Sequence, residues 1–146
     1  MPLFTTTRLI PARAPEIFAA IATPARLARW WGPAGFTNTF THCDFAPGGR
    51  WLLTMHGPDG RDYPNEYRFA HIDAPHTVEI QHVLAPQFRL TIRLTPAADG
   101  AGTVVSWAQA FADAGLAARM ASIVVPANEQ NLDRLTAEVV GKVGDS

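Results

Sequence analysis

The chain has 146 residues, a formal net charge of −1, and 47% hydrophobic against 17% charged residues. That length and composition suit one domain, expected over residues 1–146 with a core of its own. Lys142 is the only lysine and no basic field exists to hold phosphates, which argues against nucleic acid as a partner, and the apolar runs are too short for a membrane span.

Threonines and aliphatic residues from Leu3 to Ile10 predict a first strand. A helix follows from Ala14 or Pro15 through Ile21, with Ile17, Phe18 and Ile21 on its apolar face and proline tolerated in its first turn. Thr23 is placed to cap a second short helix from Pro24 to Trp31, which ends before Gly32-Pro33. Strands are then predicted over Phe36 to Phe45, Arg50 to His56, Tyr63 to Ile72 and Thr77 to Leu84. Pro47-Gly48-Gly49, Gly57-Pro58-Asp59-Gly60 and Asp73-Ala74-Pro75-His76 supply the turns between them. Phe88 to Leu94 is the clearest strand, alternating Phe88, Leu90, Ile92 and Leu94 with Arg89, Thr91 and Arg93. After a polar turn from Pro96 to Gly102, Thr103 to Phe111 is the last strand. The remainder reads as helix, with Leu116, Met120, Ile123 and Ala127 on one stripe and Leu132, Leu135 and Val139 on a drifting continuation. Pro126 lacks a backbone donor and is expected to kink or split that helix. The order β-α-α-β-β-β-β-β-β-α is α+β, with mostly hairpin-connected strands.

Three tryptophans fall in one short window: Trp30-Trp31-Gly32-Pro33 with Phe36 behind it, then Pro47-Gly48-Gly49-Arg50-Trp51. An indole buries a large apolar area and still presents one N–H donor, so these residues suit either a core or the wall of a ligand pocket. They supply no nucleophile, metal ligand or general base.

Those two segments, together with Ala14-Pro15-Glu16-Ile17-Phe18, Met55-His56-Gly57-Pro58-Asp59-Gly60, Tyr63-Pro64-Asn65 and Asn128-Glu129-Gln130-Asn131-Leu132-Asp133-Arg134-Leu135, span nearly the whole chain. In this order they resemble the SRPBCC superfamily (START-like, birch-pollen-allergen-like), and within it the AHSA-type group named for the activator of the Hsp90 ATPase. The resemblance implies a helix-grip fold, a curved antiparallel sheet wrapped around a long C-terminal helix, with a cavity between them. It implies no single activity, because the superfamily includes lipid carriers, cyclases, hydroxylase subunits and co-chaperones.

An apolar pocket is therefore expected between sheet and helix. Its walls are assigned to Trp31, Phe40, Trp51, Met55, Phe69 and Phe88, with Trp107, Met120 and Val124. His82 and Gln109 are the expected polar contacts, with Glu66 and Asn128 facing the same space. His82 shares strand parity with Val78, Ile80 and Leu84 and is expected to point inward. Beside Glu66 it would suit ligand orientation or proton transfer, and the plainer alternative is a buried histidine satisfied by its neighbours.

The five histidines lie at none of the close spacings of common metal ligands, so no metal site is assigned. No Ser-His-Asp set, phosphate-binding glycine loop or cofactor motif emerges. Cys43 is the single cysteine and reads as a small buried hydrophobe. With no signal-peptide pattern at the N-terminus, a cytoplasmic location is expected.

The leading expectation is a module that binds a small hydrophobic or aromatic ligand. The first alternative is a module that contacts the Hsp90 chaperone, read here as one domain without the co-chaperone's second chaperone-binding domain. The second is an acid–base enzyme working through His82 and Glu66. Monomer and homodimer both stay open.

Overall fold

The computed structural model describes residues 3–141. Its elements are β1 (Leu3–Ile10), α1 (Ala14–Ala22), α2 (Pro24–Trp30), β2 (Thr37–Cys43), β3 (Arg50–His56), β4 (Asp62–Asp73), β5 (Thr77–His82), β6 (Phe88–Pro96), β7 (Thr103–Phe111) and α3 (Ala114–Thr136), which runs into a π-helical turn, Ala137–Gly141. One seven-stranded sheet forms in the order β1-β7-β6-β5-β4-β3-β2. Strands β2 to β7 follow one another as hairpins, and β1 joins at the far side by pairing antiparallel with β7. The curved sheet and long last helix are the helix-grip architecture expected of the sequence.

Alternation decides which side chains face the helices. In β3, Trp51 and Leu53 are buried, whereas Arg50 is exposed and Leu52 and Thr54 are half-buried on the outer face. In β6, Leu90, Ile92 and Leu94 are buried between Arg89, Thr91 and Arg93. Two bulges interrupt this pattern, between Phe40 and His42 in β2 and between Phe69 and His71 in β4. Each extra residue bends its strand and increases the local twist, which helps the sheet curl. Inward residues of β3 and β4 meet α1 and α2 in one core around Trp51, which lies parallel to Phe69 at 5.6 Å and edge-on to Trp31 at 4.9 Å. A smaller cluster of Phe111, Ala117 and Val124, with Phe4, Phe88 and Met120 against it, seats the first half of α3.

Charged side chains fasten the helices at their ends. Asp113 caps α3 by accepting from the Gly115 and Leu116 amides at 2.9 and 3.1 Å. Arg8 of β1 pairs with Glu129 and Asp133 of α3 at 3.2 and 2.8 Å. The buried carboxylate of Glu138 joins Arg26 and Arg29 of α2, each at 2.9 Å.

Several expectations are corrected. Pro126 does not split the last helix, which is continuous from Ala114 to Thr136. Packing of the apolar stripe on both sides of the proline outweighs the one hydrogen bond it removes. Thr23 stands at the start of α2, but its side chain makes no capping bond. Strand β5 stops at His82, leaving Leu84 exposed in the loop before β6.

Candidate functional site

The turn after α2 borders a pocket between sheet and helix. Trp31 ends α2, and Gly32 takes the left-handed conformation with φ of 96°. A Cβ at Gly32 would come within 2.8 Å of the Met55 methyl, a flexible end that can move aside, so it is the left-handed φ that calls for glycine here. Arg134 of α3 holds the turn from the other side. Its Nη1 donates to the carbonyls of Trp31, Gly32 and Pro33, each at 3.0 Å, and its Nη2 to that of Arg29 at 2.8 Å. These include carbonyls that the end of α2 leaves without an intrahelical partner. Asn131, also buried, accepts from the Gly32 amide at 3.2 Å and donates to the Trp30 carbonyl at 2.9 Å.

The pocket beside this turn is partly open to solvent and has a volume of about 130 Å³. Trp31, Gly32 and Pro33 of the turn line it, with Met55 of β3 and Tyr67 of β4. Phe88 and Leu90 of β6, Trp107 and Gln109 of β7, and Ala127, Asn128 and Asn131 of α3 complete the lining. No charged side chain is among them. Asn128 donates to Gln109 across the gap between helix and sheet at 3.1 Å. The Tyr67 side chain is only 3% exposed, and burial raises the pKa of its phenol well above the usual range. The neighbouring Trp31 indole pulls the other way.

Six residues expected at the pocket, Trp31, Met55, Phe88, Trp107, Gln109 and Asn128, are brought together around this space. Phe40, Trp51 and Phe69 pack behind it in the core, and Met120 and Val124 belong to the cluster at the start of α3. His82 lies one layer back, its ring parallel to Phe88 at 4.8 Å and beside Tyr67 at 4.9 Å. Its Nδ1 donates to the Pro86 carbonyl at 2.7 Å, and its Nε2 lies 2.8 Å from the Asn65 side-chain oxygen. Burial lowers its pKa, and the bond to the Pro86 carbonyl opposes that shift.

The expected pairing of His82 with Glu66 is not formed. Tyr67 is the cross-strand neighbour of His82, so Glu66 points to the opposite face of the sheet, where it pairs with Arg50 at 3.4 Å. Tyr67 is the site residue that sequence reasoning missed. Phe69 was placed inward, and parity then requires Tyr67, two residues earlier, to face inward and Glu66 outward.

On the outer face, three residues from separate strands align in a hydrogen-bonded chain. Thr39 Oγ1 lies 2.7 Å from His56 Nε2, and His56 Nδ1 donates to Asp62 at 2.7 Å. All three are exposed or half-exposed, and the hydrogen-bonded chain links β2, β3 and β4.

Comparison with known proteins follows this geometry. A family model described as activator of Hsp90 ATPase homolog 1-like protein matches residues 11–139. No curated protein matches the chain. A protein from Arthrobacter aurescens solved by NMR is similar in fold, with a TM-score of 0.85 at 23% identity, covering 94% of this chain and 85% of its own. A protein from Nitrosomonas europaea has a TM-score of 0.84 at 15% identity, covering 96% of this chain and 95% of its own. An AHSA1-like protein from Aeromonas hydrophila has a TM-score of 0.76 at 18% identity, covering 99% of this chain and 96% of its own.

Proposed function

We propose that this chain, which belongs to the family of activator of Hsp90 ATPase homolog 1-like proteins, is a binding module for a small hydrophobic or aromatic molecule. The cavity of about 130 Å³ between α3 and the sheet carries this reading. Its walls are aromatic and aliphatic, its polar groups are few and uncharged, and burial of ligand apolar surface would supply most of the affinity.

The test is native mass spectrometry of the purified protein, with thermal titration against apolar and aromatic compounds. A co-purifying small molecule, or a saturable rise in Tm, supports the reading. At a hundredfold excess over Kd the stabilisation amounts to about 2.7 kcal/mol. Ala127→Leu projects extra volume into the space from α3, and it is expected to abolish the rise while leaving the unliganded protein folded. Titration that raises Tm equally in Ala127→Leu would place binding elsewhere.

A second reading is contact with the Hsp90 chaperone. The family supports it, as do apolar side chains left in solvent, with Ile123 and Val125 on α3 and Leu3 and Leu9 on the edge strand β1. Leu3 and Val125 border one groove. The chaperone's ATPase rate with and without this chain decides the matter, and an unchanged rate with no co-elution retires this reading.

A further inference from the structure

The ligand-binding reading leaves the chemical class of the molecule open, and the cavity wall narrows it. Most polar groups around the space already have partners. Both ends of the Asn131 amide are engaged by backbone groups of the α2 turn. Asn128 donates to the Gln109 oxygen, which leaves the Asn128 oxygen and the Gln109 nitrogen without a partner among the described residues. Tyr67 is the more deeply buried donor. Its ring is held among Trp31, Trp51 and Phe88, it is 3% exposed, and it lines the cavity. Among the described residues its hydroxyl makes no side-chain or backbone hydrogen bond, so its proton is free to be donated to a molecule held in the pocket. The Trp107 indole N–H is buried without a partner.

Resting on the ligand-binding reading, we propose that the cavity selects uncharged, single-ring aromatic molecules bearing a hydrogen-bond-accepting oxygen, and that the Tyr67 hydroxyl is the donor that receives it. The space of about 130 Å³ suits about one ring, since a cavity of about 150 Å³ accommodates benzene. Charge is excluded because no ionised side chain lines the space to compensate for lost hydration. The raised pKa of Tyr67 keeps that proton in place across the physiological range.

Benzaldehyde and styrene test this, because they differ only in an oxygen replacing a CH₂ group. Their affinities are measured by calorimetry or tryptophan fluorescence in the protein and in Tyr67→Phe. The ratio of the two affinities, compared between protein and variant, cancels their unequal partition from water. The benzaldehyde-to-styrene ratio is expected to fall about tenfold in Tyr67→Phe, as loss of one neutral hydrogen bond implies. If both probes bind and the ratio is unchanged, Tyr67 is not the donor and the proposal fails while ligand binding stands. Binding of neither probe to the unaltered protein overturns both. Should Tyr67→Phe fail to fold, the infrared carbonyl stretch of benzaldehyde bound to the unaltered protein decides. A shift below its position in cyclohexane is expected, and no shift overturns the proposal.

Discussion

Arg134 does more for the site than any residue that touches the cavity. One guanidinium gathers four carbonyls at the end of α2 and so fixes the turn that carries Trp31 and Gly32. Arg134→Met keeps much of the apolar stem and strands those carbonyls, so a loss of about 2 kcal/mol is expected in urea unfolding. Ligand affinity should fall with it. A variant as stable as the parent would show that water replaces the guanidinium without cost. From sequence, Arg134 reads as a surface charge, because nothing local in a run of helical polar residues marks a contact made across about 100 positions. Cys43 was more legible. A thiol in a strand with no cation near it reads as inert. Burial first, and the adjacent Asp44 second, push its pKa up to about 11. Iodoacetamide at pH 8 should therefore modify the native protein far more slowly than the urea-unfolded one, and equal rates would contradict the burial.

At the scale of elements, strands were legible wherever alternation was uninterrupted. The ranges of β3 and β7 follow from their patterns, because Gly48-Gly49 and Gly102 punctuate them sharply. The bulges in β2 and β4 carry no sequence mark of this kind. Past each one, residue parity inverts. Glu66 lies before the bulge of β4, where alternation with Phe69 already turns it outward. Pro126 shows a different limit, where tertiary contacts override a local preference for breaking. Pro126→Ala restores the N–H that reaches the Ser122 carbonyl in a regular helix, and a gain of about 1 kcal/mol in unfolding free energy is expected. A loss instead would mean that α3 needs its proline to follow the sheet. The π-helical turn belongs to the same scale, since Glu138 ties it to α2. Hydrogen bonds from Arg29, then Arg26, hold its carboxyl at about 2, below the ordinary value of 4.5. A depressed carboxylate pKa contributes stability fully above 4.5 and loses it as pH falls through about 2. Glu138→Gln should accordingly melt below the parent at pH 6, with the gap closing toward pH 2. A constant gap would assign the loss to packing.

At the scale of the whole molecule, the architecture was readable and the pocket only partly so. Element order and hairpin turns specify the sheet, and the resemblance of the aromatic and C-terminal segments supplies the grip around α3. Which inward residues leave space between them depends on side-chain volumes meeting from six elements, and no one-dimensional pattern records that sum. Phe40, Trp51 and Phe69 face the same way as the lining residues yet fill the core, because Trp51 and Phe69 pack flat on one another. Asn131 and Tyr67 gain their roles from partners on other elements.

All four tryptophans of the chain belong to one connected set of rings, with Trp31 in contact with Trp30, Trp51 and Trp107 at 5.8, 4.9 and 6.3 Å. At such separations excitation passes between indoles faster than it is emitted. The near-ultraviolet signal of the whole protein is thus a signal from this one place, and a quencher that reaches the cavity darkens every tryptophan together. Any compound that quenches there can be followed without a label.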